Sequence, residues 1–313
     1  MAGTITLSFE LELGWGQHAE GEYSHLSENR RRETTALWRL LDFADQYKLP
    51  ITFDVVGHLL HESCRGSHDG PHPKDWWLED PGTDTDTDPL FYAPELVSEI
   101  QNREVGHEIA THTYSHLLAD ESGPEVLNYE LTRVREVYEE FGIPAPTSIV
   151  MPRHHSPDYS VLKDHGIQII RAPIDGYSRS FQNPLSKTWW LLTRDHPIST
   201  LESVNGILKT TATPHPSLTS VTLPTGQSPP HPVFSILPTR LRQSLHQRYL
   251  TKAIDKAGEE DAHLHFWTHV YNMANDEQWR PLRAALRYLV NQRDKGQVLI
   301  RRMNDLDLPT QSA

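Results

Sequence analysis

Segments with strand-like and helix-like patterning alternate along nearly the whole chain, and this alternation constrains the fold more than any other feature. TITLSFELEL reads as a strand that begins almost at the first residue. RRRETTALWRLLDFADQYKLP has apolar residues at helical spacing and ends at Pro50. ITFDVVGHLL is strand-like, PELVSEIQNRE helical, and VGHEIATH a strand again. PEVLNYELTRVREVYEEFG is a strongly amphipathic helix that stops at Gly142. TSIVMP, SPDYSVLKDHG and IQIIRAP then read as strand, helix and strand. After a poorly patterned stretch come a strand in HLHFWTHV, a helix in QWRPLRAALRYLVNQRDKG and a last strand in QVLIRRM. Such a pattern implies parallel βαβ units. About seven strands in 313 residues favour closure into a barrel, with chemistry at the C-terminal ends of the strands.

Two segments break the rhythm, so the chain is read as one catalytic domain over 1–313 with insertions at about 65–93 and 197–238. The first is rich in Asp and Pro. Its DTDTD run lacks the Gly and terminal Glu of a calcium loop and is read as solvated. The second is rich in Pro, Ser and Thr and is expected to run irregularly over the surface. A net charge of −13 argues against nucleic acid or anionic lipid as a partner. No segment has membrane-spanning length or a secretory leader's pattern, which leads to the expectation of a soluble cytoplasmic protein. Cys64 is the single cysteine. A disulfide framework is therefore excluded, and the residue is read as an idle thiol.

The strand ends collect metal-binding and proton-transfer residues. In GHEIATHTYSH, His112 and His116 are four apart, a spacing that on a helix places two imidazoles one turn apart on one face. Glu10 and Glu12 in SFELELGWG are two apart, so on a strand they share a face. One is suited to hold the ion and the other to take a proton from water. Both interrupt an apolar strand, where an unpaired charge would be costly. Arg153 in MPRHHSP is expected to orient the base and keep it ionised. In LHFWTHVYNM, His269 lies nearest the strand's end and is the expected proton donor. His265 and, in the second strand's neighbour, His107 are read as structural. Trp15, Trp76, Trp77 and Trp267 are candidates to stack on substrate, and Asn272 to bind it.

These segments together resemble the polysaccharide deacetylase family, with its NodB-type homology domain. The resemblance runs from the first strand to the last. GHEIATHTYSH is similar to the family's two-histidine metal motif, and LSFELELGWG to its acid-bearing first motif. IVMPRHHSPDYSVLKDHGIQIIRAP is similar to the arginine motif, and LHFWTHVYNM to the last motif with its acid histidine. The nearest flavour is a cytoplasmic branch associated with glycan biosynthesis. The resemblance implies a distorted (β/α)7 barrel and one divalent metal ion held by Glu12, His112 and His116. Zinc suits these ligands, and cobalt, nickel or iron would fit them.

The implied reaction is hydrolysis of an N-acetyl group on a sugar or glycan, with Glu10 as base, Arg153 orienting it and His269 as acid. The first motif usually has aspartate where this chain has Glu10. The family's fourth motif, an acid that steers the arginine, has no clean match here, and Asp175 in APIDGYS is the one candidate for it. Two alternatives accompany this reading: an allantoinase-like hydrolase of a small non-peptide amide, and a catalytically silent glycan-binding protein on the same fold.

Overall fold

The computed structural model describes residues 2–18, 20–119, 122–174, 198–213 and 217–307. Its strands are β1 (Gly3–Leu11), β2 (Thr52–Val55), β3 (Glu108–Thr111), β4 (Ser148–Val150), β5 (Ile169–Pro173), β6 (Leu201–Val204), β7 (Ile207–Ala212), β8 (His263–His269) and β9 (Val298–Arg301). The helices are α1 (Arg31–Tyr47), α2 (Pro94–Gln101), α3 (Pro124–Glu140), α4 (Tyr159–Asp164), α5 (Thr239–Glu259) and α6 (Asp276–Asp294).

Seven parallel strands close in the order β1-β2-β3-β4-β5-β7-β8 and back to β1, giving the expected (β/α)7 barrel. β9 adds in parallel to the N-terminal half of β1, outside the ring. β6 folds back antiparallel onto β7.

The alternation within β1 explains how the barrel is packed. Ile5, Leu7, Phe9 and Leu11 are fully buried in the apolar layer beneath the helices, which includes Leu37, Leu40 and Leu41 of α1 and Leu282 and Leu286 of α6. The intervening Thr6, Ser8 and Glu10 are also buried, and they face the other way, into the barrel. The interior is therefore polar. Arg171 of β5 donates to Ser8 Oγ at 2.6 Å, and His265 Nε2 meets the same hydroxyl at 3.0 Å. Thr210 Oγ1 lies 3.0 Å from His263 Nε2 and 3.1 Å from His265 Nδ1. A barrel filled this way needs every buried group paired. Both expected structural histidines are off the mouth: His265 is in this network, and His107 packs its ring 5.3 Å from Phe53.

Part of the segment that composition marked as an irregular excursion is regular: residues 201–212 form the β6–β7 hairpin. Residues 207–212 form β7, a strand of the barrel itself, paired with β5 and β8. β6 and β7 are joined by Asn205-Gly206, both left-handed at φ 53° and 83°, an Asn-Gly hairpin turn. The 21-residue helix α5 has an apolar stripe only in its C-terminal half, where Tyr249, Leu250, Ala253, Ile254 and Ala257 are buried. Its N-terminal half is seated by the polar contacts of Arg242, Gln243 and His246. Among the described residues, no helix is long and apolar enough to cross a membrane.

The hairpin turn gives a direct check. Gly206→Ala puts a Cβ on a left-handed residue and is expected to lower stability by about 1–2 kcal/mol in urea unfolding. An unchanged midpoint would contradict the turn assigned to residues 205–206.

Candidate active site

β1 is central to the site because it delivers two acids to the same mouth of the barrel. Glu10 is in register with Asp54 of β2 on one side and with His269 of β8 on the other. Glu12 follows the end of the strand and opens a 3-10 turn over Leu13–Gln17. Its side chain folds back over Gly16, where a Cβ would collide with the carboxylate. The glycine in ELGWG therefore makes room for the acid.

His112 and His116 come together by a different route from the helix that their spacing suggests. They lie on a loop that leaves β3 after Thr111, with Thr113 and His116 in the left-handed region at φ 63° and 62°. Glu130 of α3 fixes this loop from below. Its carboxylate accepts from Tyr114 N–H at 2.7 Å, Ser115 N–H at 2.8 Å and Ser115 Oγ at 2.7 Å. The two rings are 5.0 Å apart, and their Nε2 atoms lie 3.5 and 3.2 Å from Glu12 Oε2.

One ligand atom from each of Glu12, His112 and His116 lies within 4.8 Å of the others, and all three residues are buried. His112 Nδ1 is 2.8 Å from the Val150 carbonyl, a contact that orients the ring and leaves Nε2 facing Glu12. Two imidazoles and one carboxylate, with a carbonyl behind one ring, form a donor set suited to a divalent transition metal.

The arginine beside Glu10 is Arg171, not the expected Arg153. Arg171 is fully buried. It donates to Glu10 Oε1 through Nη2, and to Asp54 Oδ2 at 3.1 Å through Nη1. The Arg153 side chain is 40% exposed at the rim, where it pairs with Glu20. The reason is positional. Arg171 sits inside β5 and points into the barrel, whereas Arg153 follows the end of β4 at φ 51°, a turn that swings it toward solvent. An arginine in the otherwise apolar IQIIRAP, and an aspartate in ITFDVV, were the available signals. A charge inside a buried strand requires a partner.

His269 Nε2 stands 2.8 Å from Glu10 Oε2 and 3.4 Å from Glu12 Oε1, so it joins both acids. Burial works against the charge on His269, but Glu10 and Glu12 outweigh it and raise the imidazole to about 9. Glu10 is held well below the usual carboxylate range: burial opposes this, and His269 and Arg171 overcome it. Asp54 goes the other way, raised by burial to about 7, with Arg171 lowering it and Glu10 raising it. His154, beside Arg153, also lines the site, and burial lowers it to about 3.

The cavity at the mouth measures about 160 Å³ and is lined by both acids, His112, His116, Arg153, His154, Trp267 and His269. Trp267, Gln17 and His269 also border a wider depression of about 460 Å³ that includes His25, Tyr271 and Asn272. Trp267 is thus placed between the two, with Arg171 stacked 4.9 Å from its ring. Asn272 is buried and donates to Thr268 Oγ1 at 3.2 Å. Trp15, expected to stack on substrate, is not among the residues lining either depression. It is fully buried, donates to the Phe91 carbonyl at 3.1 Å and packs 4.3 Å from the His58 ring. Trp76 instead reaches Ser115 Oγ at 2.8 Å, and Trp77 stacks on His68. Asp175 lies outside the described residues.

Residues 28–170 match the family model for polysaccharide deacetylase, a span that includes His112 and His116 and ends one residue before Arg171. No curated protein matches the chain significantly. Among solved structures, the chain is similar to a provisionally named polysaccharide deacetylase from Mycobacterium smegmatis. The two are 16% identical, with a TM-score of 0.61 over 96% of this chain and 87% of the other. A second protein so named, from Pseudomonas aeruginosa PAO1, gives 12% identity and a TM-score of 0.53 over 96% and 88%. The α-amylase AmyC from Thermotoga maritima gives 10% identity and 0.59 over 97% and 74%. At such identities these structures establish the fold.

The two arginines separate experimentally. Arg171→Met leaves Glu10 and Asp54 buried without their cation and is expected to cost about 3–5 kcal/mol in denaturant unfolding. Arg153→Met removes an exposed pair and is expected to cost less than about 1 kcal/mol. Equal losses would contradict the assignment of the buried partner.

Proposed function

We propose that the chain, whose residues 28–170 match the family model for polysaccharide deacetylase, is a hydrolase that removes N-acetyl groups from a sugar or glycan with the help of one divalent metal ion. The observation that carries this reading is the two-point hold on Glu10. Arg171 takes one carboxylate oxygen and His269 the other, beside Glu12 and its two imidazoles.

Glu12, His112 and His116 would hold the ion, with zinc the best match to their donor set. When bound there, such an ion lowers the pKa of water and polarises an amide carbonyl. The chain's own groups do the rest. Glu10, kept ionised by Arg171, takes the proton that water loses as its oxygen bonds to the acetyl carbon. His269, kept protonated by the acids, gives its proton to the amine nitrogen as the C–N bond breaks. The products are acetate and the free amine. Trp267 forms the wall between the reacting mouth and the wider depression. The mixed polar and aromatic lining of that depression, with His25, Tyr271 and Asn272, suits the remainder of a sugar chain. Arg153 and His154 flank the entrance and are placed to meet substrate.

Glutamate in place of the usual aspartate is compatible with this chemistry because both of its oxygens are fixed. The additional methylene does not leave the base loose.

Acetate release from a panel of N-acetylated oligosaccharides is the test. The protein is expected to be active, to lose activity on chelation and to regain it with zinc or cobalt. Glu10→Gln is expected to lower kcat by about 10²–10⁴-fold with metal content unchanged. Full activity in Glu10→Gln would remove the base from the mechanism. A wild-type protein that binds these glycans without releasing acetate, and gains activity as Glu10→Asp, would establish the silent binding protein instead.

A further inference from the structure

Cys64 is not the idle thiol that its local sequence suggests. It belongs to a second cluster, separate from the barrel mouth, in which His58, Cys64, His68 and Asp80 bring one ligand atom each within 4.8 Å of all the others. His58 follows β2 in a short 3-10 turn, whereas the other three come from the insertion that continues to α2. His68 Nε2 is 2.5 Å and His58 Nε2 3.5 Å from Asp80 Oδ2. Cys64 Sγ is 3.2 Å from that oxygen and 3.8 Å from His68 Nε2.

The second, independent observation is His58 itself. Its side chain is fully buried, and neither ring nitrogen has a hydrogen-bond partner. A buried imidazole without a hydrogen bond, its Nε2 3.5 Å from a carboxylate oxygen and grouped with a thiol and another imidazole, lacks the atom that would satisfy it. A tetrahedral ion with nitrogen and oxygen ligands near 2.0 Å and sulfur near 2.3 Å separates its ligand atoms by about 3.3–3.7 Å. Three of the four separations given above, 3.2, 3.5 and 3.8 Å, fall close to that range, and the fourth, the 2.5 Å hydrogen bond between His68 and Asp80, would open as the ion took the place of its proton.

The geometry points to a structural metal site in which His58, Cys64, His68 and Asp80 bind one zinc-class divalent cation. The surroundings are arranged as such a site requires. Gly66 N–H donates to Cys64 Sγ at 3.2 Å. Gly82 N–H and the Tyr92 hydroxyl, each at 3.0 Å, occupy Asp80 Oδ1 and leave Oδ2 toward the other ligands. A nucleophilic cysteine would need a different geometry. A relay places the thiol on one ring nitrogen and the acid on the other, but here a single nitrogen of His68 faces both.

Without the ion, protons balance the charge. Burial opposes both shifts, yet contact with His58 and His68 pulls the Cys64 thiol down to about 6, and Asp80 and Cys64 push His68 up to about 9. Binding would release the His68 proton as its neutral imidazole joins the Cys64 thiolate as a ligand. Four protein ligands leave no open position, so the role is to pin the insertion to the end of β2. From that insertion, Trp76 reaches Ser115 in the loop that carries His116.

Metal analysis of the full-length protein tests this independently of any deacetylase activity. His112→Ala protein, purified without chelator and reconstituted with zinc, is expected to retain one ion per chain, and the double variant His112→Ala/His68→Ala none. Cobalt-exchanged wild-type protein is expected to show a thiolate-to-cobalt charge-transfer absorption, which needs no substitution and so does not depend on a variant's folding. Cys64→Ser is expected to abolish it. A His112→Ala protein that takes up no ion, or a cobalt-loaded wild type without that absorption, would overturn the site.

Discussion

The buried guanidinium of Arg171 is the contact on which the rest of the barrel depends. A (β/α) barrel is usually filled by layers of branched apolar side chains. This one places Ser8, Glu10 and Asp54 inside, together with His265, and these groups are tolerated because Arg171 spans them. The cation comes from β5 and the acids from β1 and β2, so one pairing joins opposite sides of the ring. It also links stability to the proposed chemistry, since the group that neutralises Glu10 fixes the orientation of the carboxylate proposed as the base.

The two clusters share a mode of construction. In each, residues from a strand end and from the loops beyond it converge, with glycine or left-handed positions making the approach possible. They are joined through the turn that follows β1. Glu12 opens that turn at the first site, and three residues later Trp15 packs on His58 at the second. The tryptophan that composition offers as a sugar platform is therefore a strut between them.

Much of this was legible in the sequence. The strand–helix alternation gave the barrel, and the placement of Glu10, Glu12, His112, His116 and His269 at strand ends brought together residues that do meet. What escaped was long-range partnership. Arg153 lies just past the end of β4 and Arg171 within β5, and only the register of β5 against its neighbours carries Arg171 into the barrel. The His112–His116 spacing suggested a helix because the pull of Glu130 on the Tyr114 and Ser115 amides is not local. β7 was hidden among prolines and threonines despite an Asn-Gly turn signal directly before it. Cys64 looked inert because His58 and Asp80, six and sixteen residues away, converge on it only after folding.

The most direct test of the central claim is a crystal structure of the zinc-loaded protein, with anomalous data collected on both sides of the zinc edge. The account predicts an anomalous peak bonded to Glu12, His112 and His116, with Glu10 off the ion and still paired to Arg171. A peak bonded to Glu10 in place of Glu12, or an Arg171 withdrawn from both carboxylates, would contradict it.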